Sequence, residues 1–154
     1  MRHVSRHRAD GIQIFRRDRI HAIERNEPEG RLQSGDTAAA LNKAEEALTL
    51  AKVAGSAIAE ALAERALGRT LTAIPDRVGE AAAHLAKSSL FLEKIGAKYD
   101  LTRATLAQAK AQIACADRSG AAETLKKAVS LARECKLEAE ESAARAVLAE
   151  LGNG

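Results

Sequence analysis

Residues 35–48 read GDTAAALNKAEEAL, and small side chains recur in this stretch at helical spacing. Ala40, Ala44 and Ala47 lie three or four positions apart, so they share one side of a helix. The pattern returns loosely about 40 residues later and again after a similar interval, at Ala82, Ala86 and Ser89 and at Ala121, Leu125 and Ala128. A period of about 40 residues made from two helices predicts a stack of helical hairpins.

The composition favours helices throughout. Ala occurs 35 times in 154 residues, whereas Trp is absent, Tyr occurs once and Phe twice. Ala is the best helix former, and strands prefer aromatic and β-branched residues. A core with so few aromatic side chains must be thin, which suits helices that pack in neighbouring pairs rather than an enzyme with a deep pocket.

Six segments carry apolar residues at helical spacing and alternate with Gly, Pro or charged residues. They cover residues 36–54, 56–74, 76–95, 98–116, 119–135 and 137–151. Asp36, Asp76 and Ser119 are the expected N-caps, and Ile95 is expected on the inward face of the third helix. Short connections force neighbouring helices to run antiparallel. The predicted fold is all-α: a right-handed stack of antiparallel hairpins with about six helices over residues 35–151.

The basic residues are unevenly distributed. Residues 1–34 hold eight Arg and five acidic residues, whereas residues 35–154 hold 16 basic and 16 acidic residues. This balance argues against the helical body as a general nucleic-acid binder. The basic N-terminal segment, residues 1–34, has two interpretations: a short helix over residues 11–26 that covers the open end of the stack, or a mobile tail.

Sequence motifs of catalysis are missing from the chain. It has no phosphate-binding Gly-rich loop, His-Glu-x-x-His, Cys-x-x-Cys or Gly-x-Ser-x-Gly. His3 and His7 fit tail residues better than a metal site, and His84 is expected at the surface with Glu80 as its one acidic neighbour. Cys115 and Cys135 are expected as free, partly buried thiols. The sequence thus predicts no catalytic, cofactor or metal site and no enzyme activity.

No apolar run approaches the roughly 20 residues that cross a bilayer. The N-terminus also lacks the continuous apolar stretch of a signal peptide. The expected location is the cytoplasm, without contact to a membrane.

Three stretches resemble the tetratricopeptide repeat. Residues 35–48 look like its second helix, and Leu67-Gly68-x2-Leu71 is similar to the Leu-Gly-x2-Tyr part of its first helix. Glu64 stands where the family usually has Trp. Residues 89–104 resemble the longer repeats of large bacterial ATP-dependent transcription activators and signalling proteins. The resemblance covers residues 35–151 and implies a scaffold that binds another protein or peptide, in a bacterial regulatory or signalling setting.

In tetratricopeptide scaffolds the first helix of each hairpin lines a concave groove. By resemblance, five basic residues would lie there and bind acidic side chains or a C-terminal carboxylate of a partner: Arg65, Arg69, Arg103, Lys110 and Arg145. The competing interpretation is an ordinary charged surface. Homo-oligomers through the open ends of the stack are a further expectation. The alternative function is a small nucleic-acid-linked transcriptional regulator that acts through the Arg-rich N-terminus.

Overall fold

The structure is a computed structural model and describes residues 34–154, with side chains from residue 36 onward. Within that range there are six α-helices, one 3-10 turn and no strand. The helices are α1 (Ser34–Ala54), α2 (Ala57–Thr72), α3 (Val78–Lys94), α4 (Lys98–Ala114), α5 (Arg118–Glu134) and α6 (Glu138–Gly152), and the 3-10 turn is Pro75–Arg77. The predicted all-α fold is confirmed. The two interpretations of residues 1–34 concern a segment outside the described residues.

Each helix packs against the next one along the chain, and two further contacts skip a helix. These contacts join α2 to α4 and α4 to α6. The consecutive contacts, together with the short connections, make a stack of antiparallel helical hairpins. The skipping contacts draw the even-numbered helices together into one layer, called here the even layer.

The core is built from Ala and Leu, as the composition predicts. The largest cluster joins α1, α2 and α3 through residues such as Ala47, Leu62 and Leu85, all buried. A second cluster holds Leu92 of α3 and Leu101 of α4, and a third joins α4, α5 and α6. Because the buried members of these clusters include no aromatic side chain, neighbouring helices approach closely.

Gly68 marks the closest approach between α2 and α3. A Cβ atom at Gly68 would lie 2.5 Å from Leu85 Cγ and 3.1 Å from the carbonyl oxygen of Ala81. The absence of a side chain therefore lets α3 rest directly on the backbone of α2. This contact gives the Leu67-Gly68-x2-Leu71 motif a packing role.

Three of the helix ends share one hydrogen-bond pattern. At the end of α3, the N–H of Gly96 donates to the Glu93 carbonyl at 3.2 Å and the N–H of Ala97 donates to the Leu92 carbonyl at 3.0 Å. This is the Schellman motif, which requires a left-handed residue, here Gly96 with φ of 71°. The same pair of bonds ends α4 at Ala116 and α5 at Lys136.

The junctions define two edges of the stack. The Gly55 edge contains the junctions α1–α2, α3–α4 and α5–α6, which turn at Gly55, Gly96 and Lys136. The Pro75 edge contains the junctions α2–α3 and α4–α5, which turn at the 3-10 segment and at Ala116. Each helix thus runs from one of these edges to the other, and the chain reverses direction at each junction.

The expected N-caps were wrong. Asp36 and Ser119 lie inside the first turns of α1 and α5, and Asp76 lies in the 3-10 turn. The observed caps are Ser56, which accepts from the Ala59 N–H at 3.4 Å, and Asp117, which accepts from the Gly120 N–H at 2.9 Å. The reason at α5 is that α4 already ends at Ala114 and the chain turns at Ala116, which adopts a positive φ of 62° without being glycine, so Asp117 precedes the next helix.

Candidate functional site

The five predicted basic residues do not form one surface, because Arg65 is buried. Only 2% of Arg65 is exposed. Its Nη1 donates to the backbone carbonyl of Asp100 at 2.9 Å and lies 3.5 Å from the Asp100 carboxylate. Arg65 therefore joins α2 to α4 inside the even layer and is not accessible to a partner. Arg69, one turn further along α2, is half-buried.

Arg103 is exposed and joins α4 to α6. Its guanidinium lies 4.6 Å from the centre of the Tyr99 ring and donates to the Tyr99 hydroxyl at 2.8 Å. Its Nε also donates to Glu140 Oε1 at 3.2 Å. The acidic residue three positions before it, Asp100, is instead engaged by Arg65. Arg103 thus bridges two helices of the even layer at its surface.

Arg145 shares one carboxylate oxygen with a second arginine. The Nη2 atoms of Arg145 and Arg133 both donate to Glu141 Oε1, at 2.9 and 3.1 Å. Both arginines lower the pKa of Glu141, with the hydrogen bond from Arg145 the larger influence. Lys110 is exposed, and among residues 36–154 it has no ion pair. Arg103, Lys110 and Arg145 are therefore the predicted residues that remain accessible on the even layer.

A buried carboxylate links α2 to α3, and no local pattern in the sequence predicts it. Glu64 is 1% exposed. Its Oε2 lies 2.5 Å from His84 Nδ1, and its Oε1 accepts a hydrogen bond from Lys87 Nζ at 2.7 Å. Lys87 also lies 3.6 Å from Glu60 and 5.6 Å from the centre of the Phe91 ring. Glu64, His84 and Lys87 are called the Glu64 cluster below.

The two basic partners determine the protonation of Glu64. Burial raises the pKa of Glu64, but hydrogen bonds from Lys87 and His84 and the charges of both residues lower it, so the net pKa lies below its ordinary value. Glu64 is therefore a carboxylate at neutral pH. His84 is half-buried, as expected of a histidine near the surface, but its carboxylate partner is Glu64 on the neighbouring helix rather than Glu80.

The Glu64 cluster does not assemble a nucleophile. A His–carboxylate pair can activate a hydroxyl that reaches the free ring nitrogen. The buried hydroxyl of Ser88, one turn along α3 from His84, instead donates to the Ala61 carbonyl at 2.6 Å. The Ser88 hydroxyl and the Glu64 carboxylate both form their hydrogen bonds across the interface between α2 and α3. The geometry therefore suits attachment of α3 to α2. Within residues 34–154, no three His, Cys, Asp or Glu side chains come together in a group that could hold a metal ion.

The two cysteines are free, as predicted, and lie at opposite edges of the stack. Cys115 precedes Ala116 on the Pro75 edge and is exposed. Cys135 precedes Lys136 on the Gly55 edge and is half-buried. The expected partial burial was wrong for Cys115, because the chain turns away immediately after it.

Four large apolar side chains are exposed in residues 36–154, and all lie toward the Gly55 edge. Val53 is 76% exposed, Leu90 49%, Ile95 46% and Tyr99 48%. Val53 and Leu90 lie in or near the last turns of α1 and α3, Ile95 is the C-cap of α3, and Tyr99 lies in the first turn of α4. The spacing of the third segment placed Ile95 on the inward face of its helix, which was wrong. None of the described helices is both long enough and apolar enough to span a bilayer.

The comparisons with known proteins add no relative: no model of a protein family matches the chain, and no curated protein matches it. The description of the chain as a stack of helical hairpins therefore rests on its own sequence and structure.

Proposed function

We propose that this chain is a tetratricopeptide-like scaffold that binds another protein through its even layer and catalyses no reaction itself. The observation that carries the proposal is the pair of contacts that skip a helix, α2 to α4 and α4 to α6. These are the first helices of successive hairpins in the resemblance, and their contacts make the continuous layer that such scaffolds use for binding.

The side chains on this layer support a partner with carboxylate groups. Arg103 and Arg145 are exposed, and each already donates to an acidic residue, Glu140 or Glu141, so a partner carboxylate would share or replace that bond. Lys110 has no ion pair within the described residues. Guanidinium groups bind carboxylates in a two-pronged geometry that Lys cannot reproduce. Arg65 contributes rigidity to the layer through Asp100 and makes no contact with the partner.

A cytosolic setting fits this proposal. Two thiols that remain free, one of them exposed, are typical of a reducing compartment. In the resemblance, such scaffolds belong to bacterial regulatory and signalling proteins, and we place this chain in that class.

Site-specific photo-crosslinking tests the proposal. A photoreactive amino acid replaces Lys110 on the even layer or, as the matched control, Lys126 on α5, which is also exposed but belongs to the other layer. Proteins captured from the native host at position 110 but not at 126 are identified, and their direct binding is then measured with purified components.

The expected result is one binding protein whose affinity falls about tenfold in the double change Arg103→Ala with Arg145→Ala, which corresponds to about 1.4 kcal/mol. Equal capture at both positions, or an unchanged affinity of the double variant, would refute binding through the even layer. Turnover of a captured molecule by the purified chain would refute the non-catalytic role.

A further inference from the structure

The helix α2 is more deeply buried than its place in the stack explains. Eleven of the 16 residues of α2 are buried, against seven of 17 in α4 and one of 15 in α6. Within residues 34–154, α4 packs against α2, α3, α5 and α6, whereas α2 packs against α1, α3 and α4. An end helix of the even layer should be less buried than the central helix α4, as α6 is. The excess burial of α2 indicates that another part of the chain covers it.

The covered side of α2 is the one that faces away from α3. At about 100° per residue, Ala66 lies about 160° around the helix from both Glu64 and Gly68. Glu64 and Gly68 contact α3. Ala66 is 0% exposed, and none of the three apolar clusters of the described residues contains it. Residues outside these clusters therefore lie over Ala66.

The equivalent positions of the later hairpins show what kind of neighbour belongs there. Ala107 of α4, 41 residues after Ala66, packs against the cluster that joins α1, α2 and α3. Val147 of α6, 40 residues further, packs against the cluster that joins α4, α5 and α6. In both cases the side chain meets the cluster of the preceding hairpin. For α2, the preceding hairpin consists of α1 and a helix that would come before residue 34.

The sequence before residue 34 contains a segment that suits this place. On a helix over residues 11–26, four large apolar side chains would fall within an arc of about 140°, called here the Phe15 face: Ile12, Phe15, Ile20 and Ile23. Residues 27–33 are the connection to α1, which begins at the Pro75 edge. A short connection makes neighbouring helices antiparallel, so this helix would run parallel to α2, as α4 does.

We propose that residues 11–26 form the first helix of the even layer and pack the Phe15 face against α2 at Ala66. This helix completes a hairpin with α1 and gives α2 a neighbour on each side within the even layer, as α4 has. It selects the helix over the mobile tail as the state of the N-terminal segment, and it leaves α4 and α6 as the part of the even layer open to a partner. The inference is independent of the proposed function, since it concerns a contact within the chain.

A second copy of the chain is the competing occupant of this side of α2. Ala66 is already buried within a single chain, which favours a segment of the same chain. The connection over residues 27–33 also keeps the segment close to α2, so its effective concentration there is far above that of a second copy in dilute solution.

Hydrogen exchange at individual amides of the full chain tests the inference. Phe15→Ser with Ile23→Ser changes the Phe15 face, and Ile14→Ser is the matched control, because Ile14 falls on the opposite side of the same helix. Ala66→Lys places a charge at the proposed contact. Its control is Ala86→Lys, at an exposed alanine of α3.

The amides of residues 12–26 should exchange at least about 100-fold more slowly than in an unstructured peptide of the same sequence. Ala66→Lys should remove most of this protection, and Ala86→Lys should change it less than about twofold. The double Ser change should speed the exchange of the α2 amides about tenfold, and Ile14→Ser less than about twofold. The double change lies outside α2, so it carries the test if Ala66→Lys fails to fold.

Exchange of residues 12–26 at the rate of an unstructured peptide would overturn the inference. Equal effects of Ile14→Ser and the double Ser change on α2 would do the same, as would full protection of the segment in a folded Ala66→Lys variant. Protection that falls on dilution would assign the contact to a second copy and would also overturn it. Crosslinking at position 110 tests the proposed function separately, whichever of these results is found.

Discussion

The hairpins α2–α3 and α4–α5 have the same backbone arrangement but different interfaces. In the first, Gly68 brings the helices together and the buried Glu64 is bound by two basic residues of α3. In the second, Ala109 and Leu125 lie in one apolar cluster. The position 41 residues after Glu64 is Thr105, whose hydroxyl only donates to a carbonyl of its own helix. Apolar packing closes both hairpins; the first adds a buried charge, whereas the ion pair of the second, between Lys98 and Glu134, is exposed.

The difference shows what buried charges contribute. Taking a carboxylate out of water costs free energy, and the two basic partners of Glu64 offset this cost rather than adding a large surplus. An apolar interface can pack in several registers, whereas the Glu64 cluster is satisfied only when His84 and Lys87 face α2. We infer that the cluster fixes how α3 sits on α2.

The largest expected effect comes from a methyl group at the closest contact of the first hairpin. Gly68→Ala should lower the free energy of unfolding by about 1–3 kcal/mol, because the new Cβ would clash with Leu85 and with the Ala81 carbonyl. Urea unfolding followed by circular dichroism measures the change. Gly79→Ala is the control: a Cβ at Gly79 meets nothing within 4 Å, so this change should stabilise α3 by up to about 1 kcal/mol. Equal effects of the two changes would show that α2 and α3 are not in close contact at Gly68.

Removal of the buried charge should have the next largest effect. Glu64→Gln should cost about 1–2 kcal/mol of unfolding free energy, because the amide keeps the shape but loses the charge-assisted bonds to Lys87 and His84. Thr105→Val is the matched change in the second hairpin and should cost less than about 1 kcal/mol, since its hydroxyl bonds only within α4. A larger loss from Thr105→Val would reverse the comparison of the two hairpins.

The pH dependence of the unfolding free energy should reveal the contribution of the Glu64 carboxylate charge. The folded-state pKa of Glu64 lies below its ordinary value of 4.5, so its contribution is complete above pH 4.5 and is lost as the pH falls through the lower folded-state value. The stability gap between the wild type and Glu64→Gln should therefore be full at pH 7 and shrink below pH 4.5. Glu80 and Glu141, whose pKa values are also lowered, are present in both proteins and cancel in the difference. A gap that stays constant down to pH 3 would mean that the carboxylate charge is not what the interface uses.

The smallest expected effects lie at the junctions. Lys136 and Ala116 have positive φ values of 56° and 62° without being glycine. Lys136→Gly and Ala116→Gly should each stabilise the fold by up to about 1 kcal/mol, because glycine adopts this conformation without steric cost. Gly96→Ala should destabilise it by a similar amount. Thermal melting of the three variants measures these shifts, and a loss of stability in Lys136→Gly would contradict the left-handed turn.

The helices could be predicted from the sequence because their signal is local. The spacing of Ala44, Ala47 and Leu48 predicts the inward face of α1, and all three are buried. The division between the fifth and sixth predicted segments, at residues 135–137, correctly marks the junction between α5 and α6. The sequence predicts the end of α4 at residue 116, two residues beyond its last helical residue, because Ala116 carries no sign of its left-handed backbone.

The candidate sites could be predicted less well, because their contacts join different helices. Glu64 and Arg65 look like surface charges in a sequence, and only packing with α3 and α4 shows that they are buried. Helical spacing offers His84 only partners three and four positions away, whereas its actual partner lies 20 residues earlier. Ile95 follows the inward spacing of α3, but the helix ends before it, so the side chain turns out to solvent.

Hydrogen exchange at individual backbone amides, compared between the wild type and Glu64→Gln, tests most directly whether the buried charge holds the first hairpin specifically. In a stack whose units interact mainly with their neighbours, a local loss of stability stays largely local. We expect the amides of α2 and α3 to exchange about 5–30-fold faster in Glu64→Gln, which corresponds to about 1–2 kcal/mol, and those of α5 and α6 to accelerate by no more than about threefold. Equal acceleration along the whole stack, or unchanged exchange in α2 and α3, would contradict the account.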